Sequence, residues 1–113
     1  GGMYWGYEGS SFVVGRRNTA NDITYAHAPP QGVWTHYAIT RASGTTRLFV
    51  DGVIVASGGG SYNYSATGPC YVGDLAGGTQ YSVNGHMDEF RLTKGVARYT
   101  ANFTPPAAAF PDA

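Results

Sequence analysis

The Asp51-Gly52 pair stands between two strand-like runs, Arg47-Leu48-Phe49-Val50 before it and Val53-Ile54-Val55-Ala56 after it. A two-residue loop joining antiparallel strands favours positive φ at both central positions, which Gly takes freely and Asp tolerates. The sequence therefore predicts a tight type I′ hairpin with strands over 45–50 and 53–56. Glu8-Gly9-Ser10 separates predicted strands over 3–7 and 11–17. A further strand over 22–28 stops at Pro29-Pro30, because proline cannot donate to a ladder. Residues 34–41 carry apolar groups on both faces and are predicted to lie centrally in a sheet, with Ser43-Gly44 as the following turn.

The second half reads less sharply. Residues 57–61 are predicted as a flexible loop, 62–64 as a short strand or an aromatic tongue, and 69–74 as a strand. Residues 87–93 alternate with period 2, Phe90 and Leu92 on one face and Glu89 and Arg91 on the other, and are predicted as the last strong strand. Residues 94–99 have room for one helical turn, and Pro105, Pro106 and Pro111 bar regular structure beyond. No segment shows helical periodicity long enough for a core helix, so the chain is predicted all-β.

Length and charge narrow the function classes. A chain of 113 residues has room for one domain, read here as residues 1–104 followed by a Pro/Ala-rich tail at 105–113. Seven basic and seven acidic side chains balance, without the basic stripe that a phosphate backbone or an anionic membrane surface demands. Nucleic acid and membrane insertion are not expected. Cys70 is the single cysteine, so no internal disulfide forms, and it is expected to be a small buried hydrophobe in a strand. The strand-like start at Tyr4-Trp5-Gly6-Tyr7 suggests a processed product or a piece of something longer.

Among residues that carry chemistry, His27, His36 and His86 form no metal-ligand pattern, and His36 is expected to be a hydrogen-bonded interior residue. No Ser or Cys sits in a nucleophile motif. Asp88 and Glu89 are the one close pair of carboxylates, and neighbours on a strand face opposite ways, so no shared catalytic site is expected. Aromatic rings are the stronger signal, since sugars stack on them. Tyr62, Tyr64 and Tyr81, in Gly- and Ser-rich segments, are the candidate ligand-binding residues, with packing or subunit contact as the alternative; Trp5 is a poorer candidate because it sits in a strand. Asn63 and Asn102 head triplets of the N-glycosylation form.

Segments 34–41, 47–56 and 84–92, with the tail from Leu92 to Pro106, together resemble the concanavalin A-like, laminin G-like jelly-roll domains of phage tail fibres and bacterial surface proteins. The resemblance implies an antiparallel two-sheet sandwich and a non-catalytic attachment or recognition role on an extracellular or virion surface, with a glycan or cell-surface receptor as partner. The alternative is a structural subunit of a fibre that binds no ligand. Many such domains bind calcium through loop oxygens, and Asp74 is the one candidate ligand here; no other cofactor is implied. Sugar-cleaving relatives use alternating acidic residues on one strand, a pattern missing from this chain. Members of the family also have several strands before the one that residues 3–7 match. The expectation is therefore an open sheet edge in a fragment, a shortened variant, or a domain completed by self-association or a larger protein.

Overall fold

The computed structural model describes residues 2–59, 64, 67, 70–73 and 82–109. Among the described residues, six strands form two antiparallel three-stranded sheets. The first sheet holds β1 (Met3–Glu8), β2 (Ser11–Arg16) and β3 (Ala20–Ala26) in that order, and the second holds β4 (Tyr37–Ala42), β5 (Thr45–Val50) and β6 (Val53–Gly59). No helix occurs among the described residues, and residues 94–99 make bends rather than a helical turn.

Turn chemistry sets the register. Ser43 and Gly44 both adopt positive φ, as do Asp51 and Gly52, so two type I′ hairpins join β4 to β5 and β5 to β6. In β2, Val14 faces Ile23 and Gly15 faces Asn21, which leaves Asp22 as the extra residue of a bulge. The Asp22 side chain, 5% exposed, is held by Arg16 at 3.2 Å and by the Tyr64 hydroxyl, which donates to it at 3.0 Å. Thr46 and Tyr64 also share a hydroxyl contact at 3.2 Å, and the Arg41 guanidinium lies 5.2 Å from the Tyr64 ring centre.

The core lies between the sheets. Phe12, Val14 and Ile23 of the first meet Leu48 of the second, with Tyr25, Tyr37, Ile39, Val55 and Ala56 packed around them. The sheets approach most closely where β6 crosses β3. There a Cβ on Gly58 would stand 2.2 Å from the Asp22 carbonyl oxygen, so the backbones meet where no side chain fits. For residues 57–59 this corrects the reading of 57–61 as a loop: β6 continues through Gly59, and residues 60 and 61 lie outside the described residues.

Three other expectations are corrected. Residues 34–36 are not strand, because β5 turns at Asp51 and offers no backbone opposite Trp34 and Thr35; β4 starts at Tyr37 and, among the described strands, lies at a sheet edge rather than centrally. Residues 70–73 are not strand, and Cys70 is exposed rather than buried. Residues 87–93 make no ladder: Glu89 sits at φ 53°, and its amide donates to the Asp88 carboxylate at 2.8 Å. That local bond competes with strand pairing.

The outer face of the second sheet is covered by irregular chain. Phe49 is fully buried beneath Tyr99 and Phe103, whose rings stack on each other at 3.5 Å. Thr40 donates its hydroxyl to the Tyr99 carbonyl at 2.7 Å, the Phe103 amide donates to Gly52 at 2.8 Å, and Ile54 donates to Asn102 Oδ1 at 2.8 Å.

Candidate functional site

The Asp51-Gly52 hairpin also organises the neighbouring surface. Beyond the Tyr37–Val50 pair the ladder is replaced by a side chain: the His36 amide donates to Asp51 Oδ1 at 2.9 Å, and the Asp51 amide donates to the His36 carbonyl at 2.8 Å. This clasp holds Trp34 and Thr35 off the end of β4. Trp34 is 69% exposed, which leaves an indole face open to solvent.

Trp34, Thr35, His36, Asp51, Asp88 and Glu89, with the two prolines at 105 and 106, enclose a surface depression of about 440 Å³. The His36 ring packs edge-on against Phe103 at 5.6 Å, and its Nδ1 is buried without a hydrogen-bond partner among the described residues. Burial lowers the His36 pKa from its ordinary value; Asp51 opposes that shift and Arg91 adds to it. A His with a lowered folded pKa contributes stability that is complete above about pH 6.5 and is lost as pH falls through the folded value. Replacing His36 with Gln should therefore flatten part of the fall in stability between pH 7.5 and 5, read by urea denaturation. Equal pH slopes in both proteins would remove His36 as the titrating group.

Asp51, Asp88 and Glu89 are all exposed. Asp88 and Glu89 share the depression, contrary to the expectation that neighbouring residues face opposite ways, because the positive φ at Glu89 takes the chain out of strand conformation. Among the described residues no group of three His, Cys, Asp or Glu side chains is placed to hold a metal.

Of the tyrosines nominated from sequence, the described one, Tyr64, does not line the depression. Tyr64 is half-buried, with its hydroxyl bound to Asp22 and Thr46 rather than offered to a ligand. Tyr62, Tyr81, the calcium candidate Asp74 and the glycosylation candidate Asn63 lie outside the described residues. Asn102 is exposed, and its Oδ1 is engaged by the Ile54 amide. Trp34 was hidden from sequence reasoning because it opens an apparently continuous strand; the signal available was Asp51, whose side chain can end a ladder by taking a backbone donor.

A second aromatic group lies at the same end of β4, around Tyr37, its first residue. The Tyr37 hydroxyl contacts those of Tyr7 at 2.8 Å and the His27 Nε2 at 2.9 Å, and Tyr37 stacks on Phe12 at 5.0 Å. Burial, followed by the Tyr37 contact, raises the Tyr7 pKa strongly, so the Tyr7 hydroxyl keeps its proton at neutral pH. Tyr4 bonds Glu8 and Asn21 across the outer part of the same sheet, and burial raises its pKa as well.

Comparison with known families places the chain. The family profile described as the concanavalin A-like lectin/glucanases superfamily, of the laminin G kind, matches residues 2–98. The chain belongs to this family, and its two-sheet all-β architecture agrees with it. Searches of curated proteins and of solved structures return no match.

Proposed function

We propose that this domain is a non-catalytic recognition module that binds glycan in the Trp34 depression, on an extracellular or virion surface. The observation that carries the reading is the exposed indole of Trp34 at the rim of a concavity edged by exposed carboxylates. A sugar ring presents an apolar face and a rim of hydroxyls. An open aromatic face takes the first and carboxylate oxygens accept from the second. The surface setting rests on the kinds of protein in which such domains occur.

Catalysis finds no support in the same geometry. A glycosidase acid is kept protonated by burial, and it faces a second carboxylate across the scissile bond. Here all three carboxylates are exposed, and Asp88 is engaged by the amide of its own neighbour. Hydrolysis of a broad oligosaccharide panel should remain at background, and turnover abolished by Glu89→Gln would overturn that.

The binding test is a glycan array on the purified chain, followed by titration of the best ligand. Trp34→Ala should weaken binding about tenfold, or ~1.4 kcal/mol, the scale of one aromatic contact. Binding unchanged in that variant removes the depression as the site, and an array without ligands removes the glycan reading. A second reading, a structural subunit that self-associates, is favoured by the solvent-facing apolar side chains of β1. Sedimentation as a monomer at all concentrations would remove it.

A further inference from the structure

The depression beside Trp34 carries a local excess of negative charge in a chain whose formal net charge is zero. Asp51, Asp88 and Glu89 line it, and no Lys or Arg side chain does. All seven Lys and Arg residues lie among the described ones, so the undescribed residues bring no basic side chain to this balance. Several are engaged elsewhere: Arg16 pairs with Asp22, Arg41 lies over the Tyr64 ring, and Arg98 donates to Thr93 Oγ1. Arg91 donates to the Tyr99 hydroxyl, and its charge reaches this ground, since it helps to lower the His36 pKa. Set against Arg91, the three carboxylates still leave two negative charges in excess, and His36 adds no charge at neutral pH.

Hydrogen-bond supply runs the same way. One oxygen of Asp51 accepts from the His36 amide and one of Asp88 from the Glu89 amide, and each carboxylate keeps a second oxygen for a further donor. Backbone amides hold these groups in place without neutralising them. Carboxylates alone would not specify a ligand, but the ring beside them does. The Trp34 indole is 69% exposed, and tryptophan is the side chain whose ring face attracts cations best. The concavity, about 440 Å³, falls within the size range of small-ligand sites. An acidic sugar would be repelled there, and a neutral one offers only hydroxyls. An ammonium offers three donors, no acceptor, and a charge that carboxylates and indole both attract.

We propose that the depression selects sugars that carry a free amine, the de-N-acetylated hexosamine oligosaccharides, with the ammonium among Asp51, Asp88 and Glu89 and the apolar face of the sugar on Trp34. The proposal rests on the reading of the depression as the glycan site and narrows it. N-acetylation of the same sugar removes the charge and replaces N–H donors with a carbonyl oxygen, which carboxylate oxygens repel. The positive φ at Glu89 is what brings Asp88 and Glu89 to one side, so an irregularity in the chain builds the charge of the site. Asp51 also clasps His36, so Asp88 and Glu89 are the positions where charge is removable without undoing the end of β4.

The test titrates the glucosamine tetramer and its N-acetylated counterpart into the full chain by calorimetry. The amine form is expected to bind about tenfold tighter at about 50 mM salt, and the advantage to fall to about threefold at about 500 mM, because exposed charges are screened. In Asp88→Asn/Glu89→Gln, where the new side chain at 88 still accepts the amide at 89, the advantage should shrink to about twofold or less. Equal affinity for the two tetramers, with both lost in Trp34→Ala, keeps the depression as a glycan site and overturns the amine selectivity. A preference for the amine form that survives both the double substitution and Trp34→Ala assigns it to charge elsewhere and also overturns it. Should the double variant fail to fold, the salt series on the unaltered chain decides, and an advantage that ignores salt overturns the proposal. Binding of neither tetramer overturns the selectivity, while the array alone decides the glycan reading, so the two failures are distinguishable.

Discussion

Replacing Gly52 with valine is expected to destabilise the fold by about 3–5 kcal/mol, combining backbone strain with steric overlap. Gly52 sits at φ 82°, a region that a β-branched residue enters only with strain. A Cβ there would also stand 1.9 Å from the Phe103 carbonyl oxygen, well inside contact distance. The overlap cannot be relieved locally, because the Phe103 amide bonds the Gly52 carbonyl at 2.8 Å and the Phe103 ring packs on Phe49. Gly9→Ala is the matched control. Gly9 has φ 61° with open space around its Cβ position, so it carries the strain alone, about 1–2 kcal/mol. Equilibrium denaturation of both variants separates the two contributions, and equal losses would show that the approach of Phe103 to Gly52 contributes nothing.

That hairpin also shows what the sequence makes legible. Where a short loop must take positive φ twice in succession, few residues serve, so Asp51-Gly52 and Ser43-Gly44 announce their turns without help from the rest of the chain. The bounds of β5 follow directly, and those of β1, β2 and β3 fall within about two residues of the alternation. Gly58 is the instructive failure. Three consecutive glycines read as a flexible loop, but Gly58 is a strand residue whose missing side chain lets β6 lie against the backbone of Asp22. Its reason is a contact with a strand more than thirty residues earlier, which no local pattern reveals.

Residues 87–93 fail for a different reason. Alternation states which face a strand would present, but a strand also needs an edge to pair with, and the Asp88 carboxylate has taken the Glu89 amide instead. The candidate site shares this dependence. Trp34 reads as an interior strand residue until it is known that β5 ends at Val50, and only then does the indole emerge at a surface. Tyr64 errs in the opposite direction: its Gly- and Ser-rich setting suggests exposure, while its hydroxyl is drawn to the buried carboxylate of Asp22, created by a bulge that the sequence does not mark.

The irregular cover over Phe49 carries the second large effect. Phe49 lies on the outer face of its sheet and is nevertheless fully buried, because Tyr99 and Phe103 close over it at 6.3 and 5.4 Å between ring centres. Phe49→Ala is expected to cost about 3–5 kcal/mol, the range for emptying a buried aromatic site. Phe103 is only half-buried, so Phe103→Ala should cost less, roughly 2 kcal/mol by the apolar area involved. Because each ring is the other's packing surface, the double variant should lose less than the sum by about 1 kcal/mol. The same loss should loosen the chain that Thr40 and Ile54 hold through Tyr99 and Asn102, so limited proteolysis should cut residues 99–109 faster in Phe49→Ala than in the parent. Strict additivity with an unchanged cleavage rate would mean that this segment does not depend on Phe49 for its place, and that its hydrogen bonds to Gly52, Thr40 and Ile54 hold it against the sheet.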